Sequence, residues 1–398
     1  MGAEIHAIDD DSVGGESTDL DSIRDGIRQL AESFGNEYWR GLEPDRYPTE
    51  FVGALTEAGW LAAMIPEQYG GSGLSLSAAS VILEEICLSG GNAAACHAQM
   101  YVMGTLLRHG SEEQKQQWLP EIAAGRLRLQ AFGVTEPDAG SDTTRIRTRA
   151  RRDPAGGGWI VNGQKIWTSR AEHSDLMILL ARTSDVPEGG QRGDGLSVFL
   201  VDIRDRGAEL TIKPIQTMMN HASTEVFFDD LRLPADALIG EAGNGFRYIL
   251  DGMNAERALI AGECIGDGRW FVRRASAYAS EREVFGRPIG ANQGIQFPIA
   301  RAHMAIEAAD LMRWRAIRLF DAAQPCGAEA NMAKFLAAEA SWMAANACVD
   351  TYGGLGFAAE YDVERKFRET RLYHVAPISN NMIMAFVAQN VLGMPRSY

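Results

Sequence analysis

The chain has 398 residues, of which 46% are hydrophobic, and a formal net charge of −15 at pH 7. This length and composition suffice for two or three units with their own cores, and the acidic balance argues against a general binder of nucleic acid or of anionic membranes. There is no run of about 18 apolar residues, so we expect no membrane span.

The cysteines and the N-terminus indicate the compartment. The five cysteines are scattered without a CxxC pair, which is typical of reduced core thiols and predicts a cytoplasmic protein without a cysteine metal site. The first residues are acidic and lack the basic and apolar segments of a signal peptide. We therefore predict a flexible tail over 1–20.

Residues 21–127 carry the pattern of helices. Apolar residues recur at helical spacing in four segments, 20–30, 51–60, 78–88 and 93–109. Ser111 and Gln114 form the signature of a capping box, which predicts that another helix begins there. This part is predicted to be an N-terminal helical domain.

The hydrophobic period changes to two near residue 128. Strands are predicted over 129–134, 146–150, 159–161, 176–181, 196–202, 210–215 and 225–228. Asn162-Gly163 is the strongest short hairpin signal in the chain. We predict a small β-domain over 128–240.

Long apolar-striped helices return after Gly243. They are predicted to start near Phe246 and to continue over 295–320, 328–352, 364–375 and 382–392. Short connections between such helices are typical of a bundle, so residues 241–398 are predicted to be a C-terminal helical domain.

Two polar segments in the β-domain carry the most chemical information. In residues 135–142, TEPDAGSD, Thr135 and Ser141 supply hydroxyls while Gly140 lets the backbone approach a ligand closely. In residues 162–167, NGQKIW, an indole follows a predicted turn. By chemistry alone the first segment is equally compatible with an ordinary hydrated turn, and Trp167 with a core indole.

Together, these two segments resemble the middle signatures of the acyl-CoA dehydrogenases, and the resemblance extends from about residue 20 to the C-terminus. It implies an α+β fold with an N-terminal helical domain, a middle β-barrel-like domain and a C-terminal four-helix bundle. It also implies FAD, an acyl-CoA substrate, an electron-transferring flavoprotein as acceptor, and a homotetramer or dimer.

The resemblance also implies which residues bind FAD. The isoalloxazine ring would lie among Phe132, Val134, Thr135, Gly140, Ser141, Trp167, Thr168 and Ser169. The adenosine part of a neighbouring subunit's FAD would meet Arg282, Phe285, Gln293, Asp350, Gly353 and Gly354, and the C-terminal run would add Ser379 and Asn381. Asp350 departs from the glutamine that is frequent in the family, and Arg282 alone would equally suit a solvated surface.

The catalytic base is where the sequence departs from the family. Most members carry a C-terminal glutamate at the position that corresponds to Pro377, and proline also lacks the backbone N–H that would bind the thioester oxygen. Some members with branched or longer substrates instead place the base directly before an arginine in the first helix of the last domain. Here that residue is Glu256; His374 is the other candidate, and Glu256 as an ordinary surface residue is the alternative.

The predicted reaction is the α,β-dehydrogenation of an acyl-CoA thioester, with Glu256 removing the Cα proton. On the substrate side, the resemblance implies contacts from Asn254, Arg257 and Ser141, although Arg257 would also suit a surface pair. Two alternatives remain open: other flavin chemistry on the same fold (a monooxygenase, an oxidase or a non-oxidative elimination), and a non-catalytic binding protein.

Overall fold

A computed structural model describes residues 20–205 and 207–396. The predicted tail lies outside the described residues except for Leu20, which is the first residue of a helix. Within the described part, no helix is long and apolar enough to cross a bilayer. All five cysteines are buried and unpaired, as predicted.

The N-terminal part is helical. Its helices are α1 (Leu20–Glu32), α2 (Asn36–Gly41), α3 (Thr49–Glu57), α4 (Leu76–Leu88), α5 (Ala94–His109) and α6 (Glu112–Ala123). The capping box before α6 is confirmed, because the Ser111 hydroxyl accepts from the Gln114 amide while the Gln114 side chain accepts from the Ser111 amide. Helices α4 and α5 are buried along most of their length and lie at the centre of the molecule.

The middle part is an eight-stranded sheet. Its strands are β1 (Leu129–Gly133), β2 (Arg149–Arg152), β3 (Trp159–Ser169), β4 (Leu176–Arg182), β5 (Leu196–Asp202), β6 (Leu210–Pro214), β7 (Ser223–Leu233) and β8 (Leu238–Ile239). The order is β6-β7-β3-β2-β4-β5-β8, with β1 paired in parallel to β4. Val102 and Leu106 of α5 share a core with Leu129 and Ile178, so α5 is packed directly against the sheet.

The predicted hairpin at Asn162-Gly163 is wrong. The turn between β2 and β3 is instead closed by the Asp153 amide, which donates to the Gly158 carbonyl at 2.9 Å. Asn162 and Gly163 lie inside β3, where the Asn162 amide binds the Asp230 carboxylate at 2.9 Å and Gly163 adopts φ 147 at a bulge. A Cβ on Gly163 would lie 2.6 Å from Thr148 Cα, so the glycine serves close strand packing rather than a turn.

The C-terminal part is a bundle of long helices. These are α7 (Gly245–Glu281), α8 (Gln293–Asp321), α9 (Gly327–Tyr352), α10 (Val363–Arg371) and α11 (Asn380–Phe386), with a two-stranded ribbon of β9 (Glu283–Val284) and β10 (Arg287–Pro288) after α7. The single helix predicted over 364–375 ends at Arg371, and the one predicted over 382–392 changes to a π-helix at Val387–Val391. Helix α7 contacts α4 and α5 as well as α8 and α9, so it joins the helical halves of the molecule.

Candidate active site

A buried ion pair joins the two signature segments. The Lys165 side chain is fully buried, and its ammonium group donates to the Val134 carbonyl at 3.0 Å and to Glu136 Oε1 at 2.8 Å. The Ile166 amide donates to the Thr135 carbonyl at 2.9 Å. Both segments are therefore held side by side at one end of the sheet.

The surface that these segments present has unusual features for a structural turn. Trp167 adopts φ 61 and is 55% exposed, although tryptophan rarely adopts the left-handed conformation and is seldom left uncovered. The neighbouring Thr168 hydroxyl is buried without a hydrogen-bond partner among the described residues. Phe132 and Val134 are half-buried next to it. An uncovered indole beside an unpaired hydroxyl suits a planar aromatic ligand that accepts or donates hydrogen bonds.

Other predicted ring-binding residues lie close by in sequence and in the fold. Thr135 and Ser169 are half-buried, whereas Gly140 and Ser141 lie exposed on the loop after β1. The loop does not need Gly140 for a left-handed turn, because its φ is not positive. The Gly140 carbonyl accepts from the Thr143 hydroxyl at 3.2 Å.

Glu256 lies on α7, and its side chain is only 7% exposed. Burial raises the pKa of Glu256 from 4.5 to about 7, while the nearby His97, Arg257 and Lys334 lower it in part. A carboxylate with a pKa near 7 can accept a proton at neutral pH and is a stronger base than an exposed glutamate. The surface interpretation of Glu256 is therefore wrong.

Tyr101 of α5 connects Glu256 to the signature segments. Its ring contacts the Phe132 ring edge-on, with 5.5 Å between centroids. The pKa of Tyr101 is raised, first by burial and then by the negative charge of Glu256. Helix α5 packs against both α7, which carries Glu256, and β1, which carries Phe132.

The loop that contains Pro377 is held by Lys334 of α9. The Lys334 ammonium donates to the carbonyls of Tyr373 and Ile378, the latter at 2.8 Å, and to Asn380 Oδ1 at 2.9 Å. Burial lowers the pKa of Lys334 to about 8. The positive charge of Lys334 also lowers the pKa of Glu256, so the residue that holds this loop acts on the candidate base as well.

The second base candidate, His374, packs against α9. His374 Nδ1 lies 3.4 Å from Glu339 Oε1, and its ring contacts Trp342 edge-on. Burial lowers the pKa of His374. The described contacts of His374 are with α9 and with Asn380, rather than with Glu256 or the signature segments.

The predicted substrate residues Asn254 and Arg257 lie together one turn apart on α7. Arg257 is 9% exposed and donates to Asn254 Oδ1 at 3.0 Å, while its Nε is buried without a partner among the described residues. A buried guanidinium with an unused donor is not an ordinary surface pair. Ser141, the third predicted substrate residue, is exposed on its loop.

The residues predicted for the adenosine part form a separate group. Arg282, Phe285, Gln293, Asp350, Gly353 and Gly354 are all exposed. Helix α7 has 37 residues and is therefore about 55 Å long; Glu256 lies a third of the way along it, and Arg282 directly follows its end. Stacking of Tyr278 on Tyr352, at 4.1 Å, brings the two halves of this group together. Within one chain, this group and the ring-binding group lie far apart.

In the C-terminal run, the predicted cofactor residues Ser379 and Asn381 do not include the buried polar residue. Ser379 caps α11, because its hydroxyl accepts from the Met382 amide at 3.3 Å, and Asn381 is exposed. The residue between them, Asn380, is buried and binds Lys334. Sequence reasoning missed Asn380, Lys334, His97 and Tyr101; the only signal was a polar or charged residue in a predominantly apolar helix.

The chain matches three family profiles in succession. These describe the acyl-CoA dehydrogenase N-terminal domain over residues 17–126, the middle domain over 131–231 and the C-terminal domain over 243–392. Together they include nearly all of the sequence.

Named relatives extend over almost the whole chain. Acyl-CoA dehydrogenase FadE12 of Mycobacterium tuberculosis is 36% identical over 387 residues, which is 96% of this chain and 98% of the relative. The mitochondrial short-chain specific acyl-CoA dehydrogenase of Bos taurus is 31% identical and covers 96% and 93% of the two chains.

Solved structures share the fold. Butyryl-CoA dehydrogenase of Megasphaera elsdenii superposes with a TM-score of 0.85 at 26% identity, covering 96% of this chain and 100% of the other. A glutaryl-CoA dehydrogenase of Mycobacterium smegmatis in complex with FADH2 gives a TM-score of 0.87 at 26% identity and covers 96% of each chain. The predicted fold class is confirmed, and the chain belongs to the acyl-CoA dehydrogenase family.

Proposed function

We propose that Glu256 is the base of a flavin-dependent acyl-CoA dehydrogenase. The family supports the reaction, which converts an acyl-CoA thioester to the 2,3-enoyl-CoA with FAD as cofactor. The observation that supports the assignment is a buried carboxyl with a pKa near 7 on α7, which packs against α5, where Tyr101 contacts Phe132 of the first signature strand. In this scheme the Cα–H bond breaks and Glu256 takes the proton.

FAD supplies the acceptor for the hydride that leaves Cβ. The residues that would hold its ring are those around Phe132, Val134 and Trp167, and their exposed aromatic and unpaired polar groups fit such a ligand. Lys165 would keep this surface in place through its bonds to Val134 and Glu136. Gly140, Ser141, Thr168 and Ser169 stay assigned to the cofactor as a proposal.

Pro377 requires a different donor for the thioester oxygen. Because proline has no N–H, the donor would be the ribityl hydroxyl of FAD or a shifted amide such as that of the next residue, Ile378. Lys334 binds the Ile378 carbonyl, which belongs to the following peptide group, and so restrains the loop directly after this amide. Arg257 and Asn254 are proposed to meet the CoA part, where the unused guanidinium nitrogen would find an anionic partner.

The separate adenosine group supports an oligomer. Since Arg282 lies at the far end of α7, we propose that it binds FAD held by a second copy of the chain, in a homotetramer or dimer. Several large apolar side chains near this end are exposed, among them Phe285, Phe297 and Phe357. Such side chains favour burial between subunits. Analytical ultracentrifugation with and without FAD tests the assembly, and a monomer that retains FAD would contradict it.

The acceptor and the compartment are part of the same proposal. We propose an electron-transferring flavoprotein as the acceptor; a solved structure described as the electron transferring flavoprotein of Acidaminococcus fermentans, with a TM-score of 0.86 and 27% identity, supports a link between this fold and such flavoproteins. Five buried thiols without a disulfide support a cytoplasmic location.

An anaerobic titration with a panel of acyl-CoAs tests the proposal. We expect loss of the oxidised flavin band in the wild type and a loss of rate of about 10² to 10⁴-fold in Glu256→Gln, the range for one general base. Equal rates would show that Glu256 is not the base. If no acyl-CoA reduces the flavin but reduced flavin reacts rapidly with oxygen, monooxygenase or oxidase chemistry would replace dehydrogenation.

A further inference from the structure

Arg170 is a buried cation that forms no ion pair among the described residues. Its side chain is 6% exposed, and no carboxylate of the described residues forms an ion pair with it. Its one side-chain hydrogen bond joins Nη2 to His221 Nδ1 at 3.4 Å. Burial lowers the pKa of Arg170. An unpaired buried guanidinium is costly for the fold, and buried charges normally meet an opposite charge.

The guanidinium borders a cavity of about 30 Å³. This is room for about two water-sized groups, which is also the size of the two oxygens of a carboxylate. His221, Tyr47 and Asn92 contribute polar groups to its wall.

The acids of the cavity wall have other partners. Glu43 accepts from Arg368 at 2.8 Å, and Glu369 accepts from Arg365 at 2.9 Å. The charge of Glu263 also acts on Arg170, but Glu263 lies 2.6 Å from His97 Nδ1 and forms no ion pair with the guanidinium among the described residues. No carboxylate of the cavity wall therefore pairs with Arg170 in the described part of the chain.

Helix α5 leads from the cavity toward the helix that carries the proposed base. His97 lies two residues after Ala95, which lines the cavity, and its ring contacts the Tyr101 ring edge-on with 5.1 Å between centroids. Helix α5 packs on α7, and the charges of Glu256 and Arg170 both act on the pKa of Tyr101. His97 Nδ1 lies 2.6 Å from Glu263 Oε1, while its Nε2 is buried without a partner among the described residues. The side chains between Glu256 and the cavity are thus polar and incompletely bonded.

Helix geometry sets the distance that a ligand must bridge. Ala95 lines the cavity, and Tyr101, whose pKa is raised in part by the charge of Glu256, lies six residues later on α5. Their separation along the helix axis is about 9 Å. An acyl chain with several carbons beyond the thioester can bridge this distance.

We propose that the acyl group of the substrate ends in a carboxylate, which Arg170 binds with help from His97 and His221. This inference rests on the proposed dehydrogenation and adds a class of substrate: dicarboxylic acyl-CoA thioesters. The guanidinium offers paired N–H donors to a carboxylate. His221 Nδ1 faces Arg170, so a neutral imidazole carries its proton on Nε2 and can donate there.

The backbone around Arg170 supports this placement. Arg170 adopts φ 59 and Ala222 adopts φ 49, both in the left-handed region, and the Arg170 amide donates to the Ala222 carbonyl at 2.7 Å. Neither residue type favours this conformation, which concentrates at functional sites. The conformation allows the Arg170 side chain to lie in the interior.

Anaerobic flavin reduction with matched thioesters tests the inference. The probes are glutaryl-, adipyl- and suberyl-CoA, their ω-methyl esters, and the unsubstituted acyl-CoAs of equal length. We expect the best dicarboxylic substrate to have kcat/KM about ten- to hundred-fold above both neutral counterparts, the range for a charge-assisted contact. Arg170→Met should abolish this preference, and Arg170→Lys should keep part of it.

Controls separate recognition from structure. Arg126→Met changes an exposed arginine paired with Glu121 and should keep the preference. The FAD content of each Arg170 variant is measured first. A wild type that prefers the unsubstituted chain or the methyl ester at every length would overturn the inference. Equal losses on charged and neutral substrates in an FAD-replete Arg170→Met would also overturn it.

Binding without turnover separates this inference from the proposed reaction. Calorimetric titration of holo Glu256→Gln with adipyl-CoA and hexanoyl-CoA measures recognition when the base is absent. Tighter binding of adipyl-CoA, dependent on Arg170, supports the carboxylate site even if the wild type reduces no flavin. Equal binding overturns the site while leaving dehydrogenation intact.

Discussion

Replacing Glu256 with glutamine should stabilise the folded protein at neutral pH while abolishing most of its activity. The carboxyl is 7% exposed, and burial raises its pKa from 4.5 to about 7 against the opposing effects of His97, Arg257 and Lys334. At 1.36 kcal/mol per pKa unit, ionising this group in the folded state costs about 3 kcal/mol more than in the unfolded chain.

The sign of the effect depends on pH. Between pH 4.5 and about 7 the folded protein keeps a proton that the unfolded chain releases, so the wild type loses stability as the pH rises through this window. Glutamine has nearly the same shape but does not ionise. The free energy of unfolding of Glu256→Gln should therefore match the wild type below pH 4.5 and exceed it by about 3 kcal/mol above pH 7.

Urea denaturation of the holoenzymes at a series of pH values, followed by circular dichroism, measures this difference. Glu57→Gln, at an exposed position on the last turn of α3, is the matched control. Its free energy of unfolding should differ from that of the wild type by the same amount at every pH. A variant that is less stable than the wild type at pH 8 would refute the reasoning, because the Glu256 carboxylate would then be well paired rather than held at a cost.

Three further substitutions test the surroundings of the site. Lys334→Met removes a charge that lowers the pKa of Glu256, so the pH of half-maximal flavin reduction should rise above about 7; an unchanged profile in stopped-flow measurements would contradict this coupling. Lys165→Met leaves Glu136 buried without its partner and should lower the free energy of unfolding by about 3–5 kcal/mol in urea titrations, with part of the loss restored by adding Glu136→Gln. Trp167→Ala removes a side chain that is 55% exposed, so its stability should change by at most about 0.5 kcal/mol, whereas FAD should be lost on dialysis, as absorbance will show; full retention of FAD would contradict the cofactor role.

The sequence predicts the elements of this fold well where the signal is local. The strand predicted over 196–202 has the bounds of β5, and the capping box of Ser111 forms as expected. The hairpin at Asn162-Gly163 failed for a tertiary reason. Asn162 binds Asp230 across the sheet and Gly163 packs on Thr148, and these contacts outweigh the local turn preference.

The residues of the site could be predicted from the sequence only in part. Long motifs pointed to the ring-binding segments, and a family exception pointed to Glu256. The groups that determine the chemistry of Glu256 come from α5 and α9, and no periodicity in the sequence indicates that His97 or Lys334 will meet α7. Arg170 was not identified because an arginine after a signature segment looks solvated until its burial is known.

The loss of the C-terminal glutamate is physically compatible with a base on α7. Two carboxylates beside one substrate carbon would repel each other, and each would raise the pKa of the other. With Pro377 at the loop position, Glu256 has no acidic competitor after Glu369 in the sequence. The loop instead directs two carbonyls and the Asn380 side chain to Lys334. The buried Lys334 ammonium, which these groups bind, lowers the pKa of Glu256 and offsets part of the effect of its burial. We therefore infer that Pro377, Lys334 and Glu256 form one arrangement. The loop supplies no carboxylate; it binds the Lys334 ammonium, whose positive charge acts on the Glu256 base.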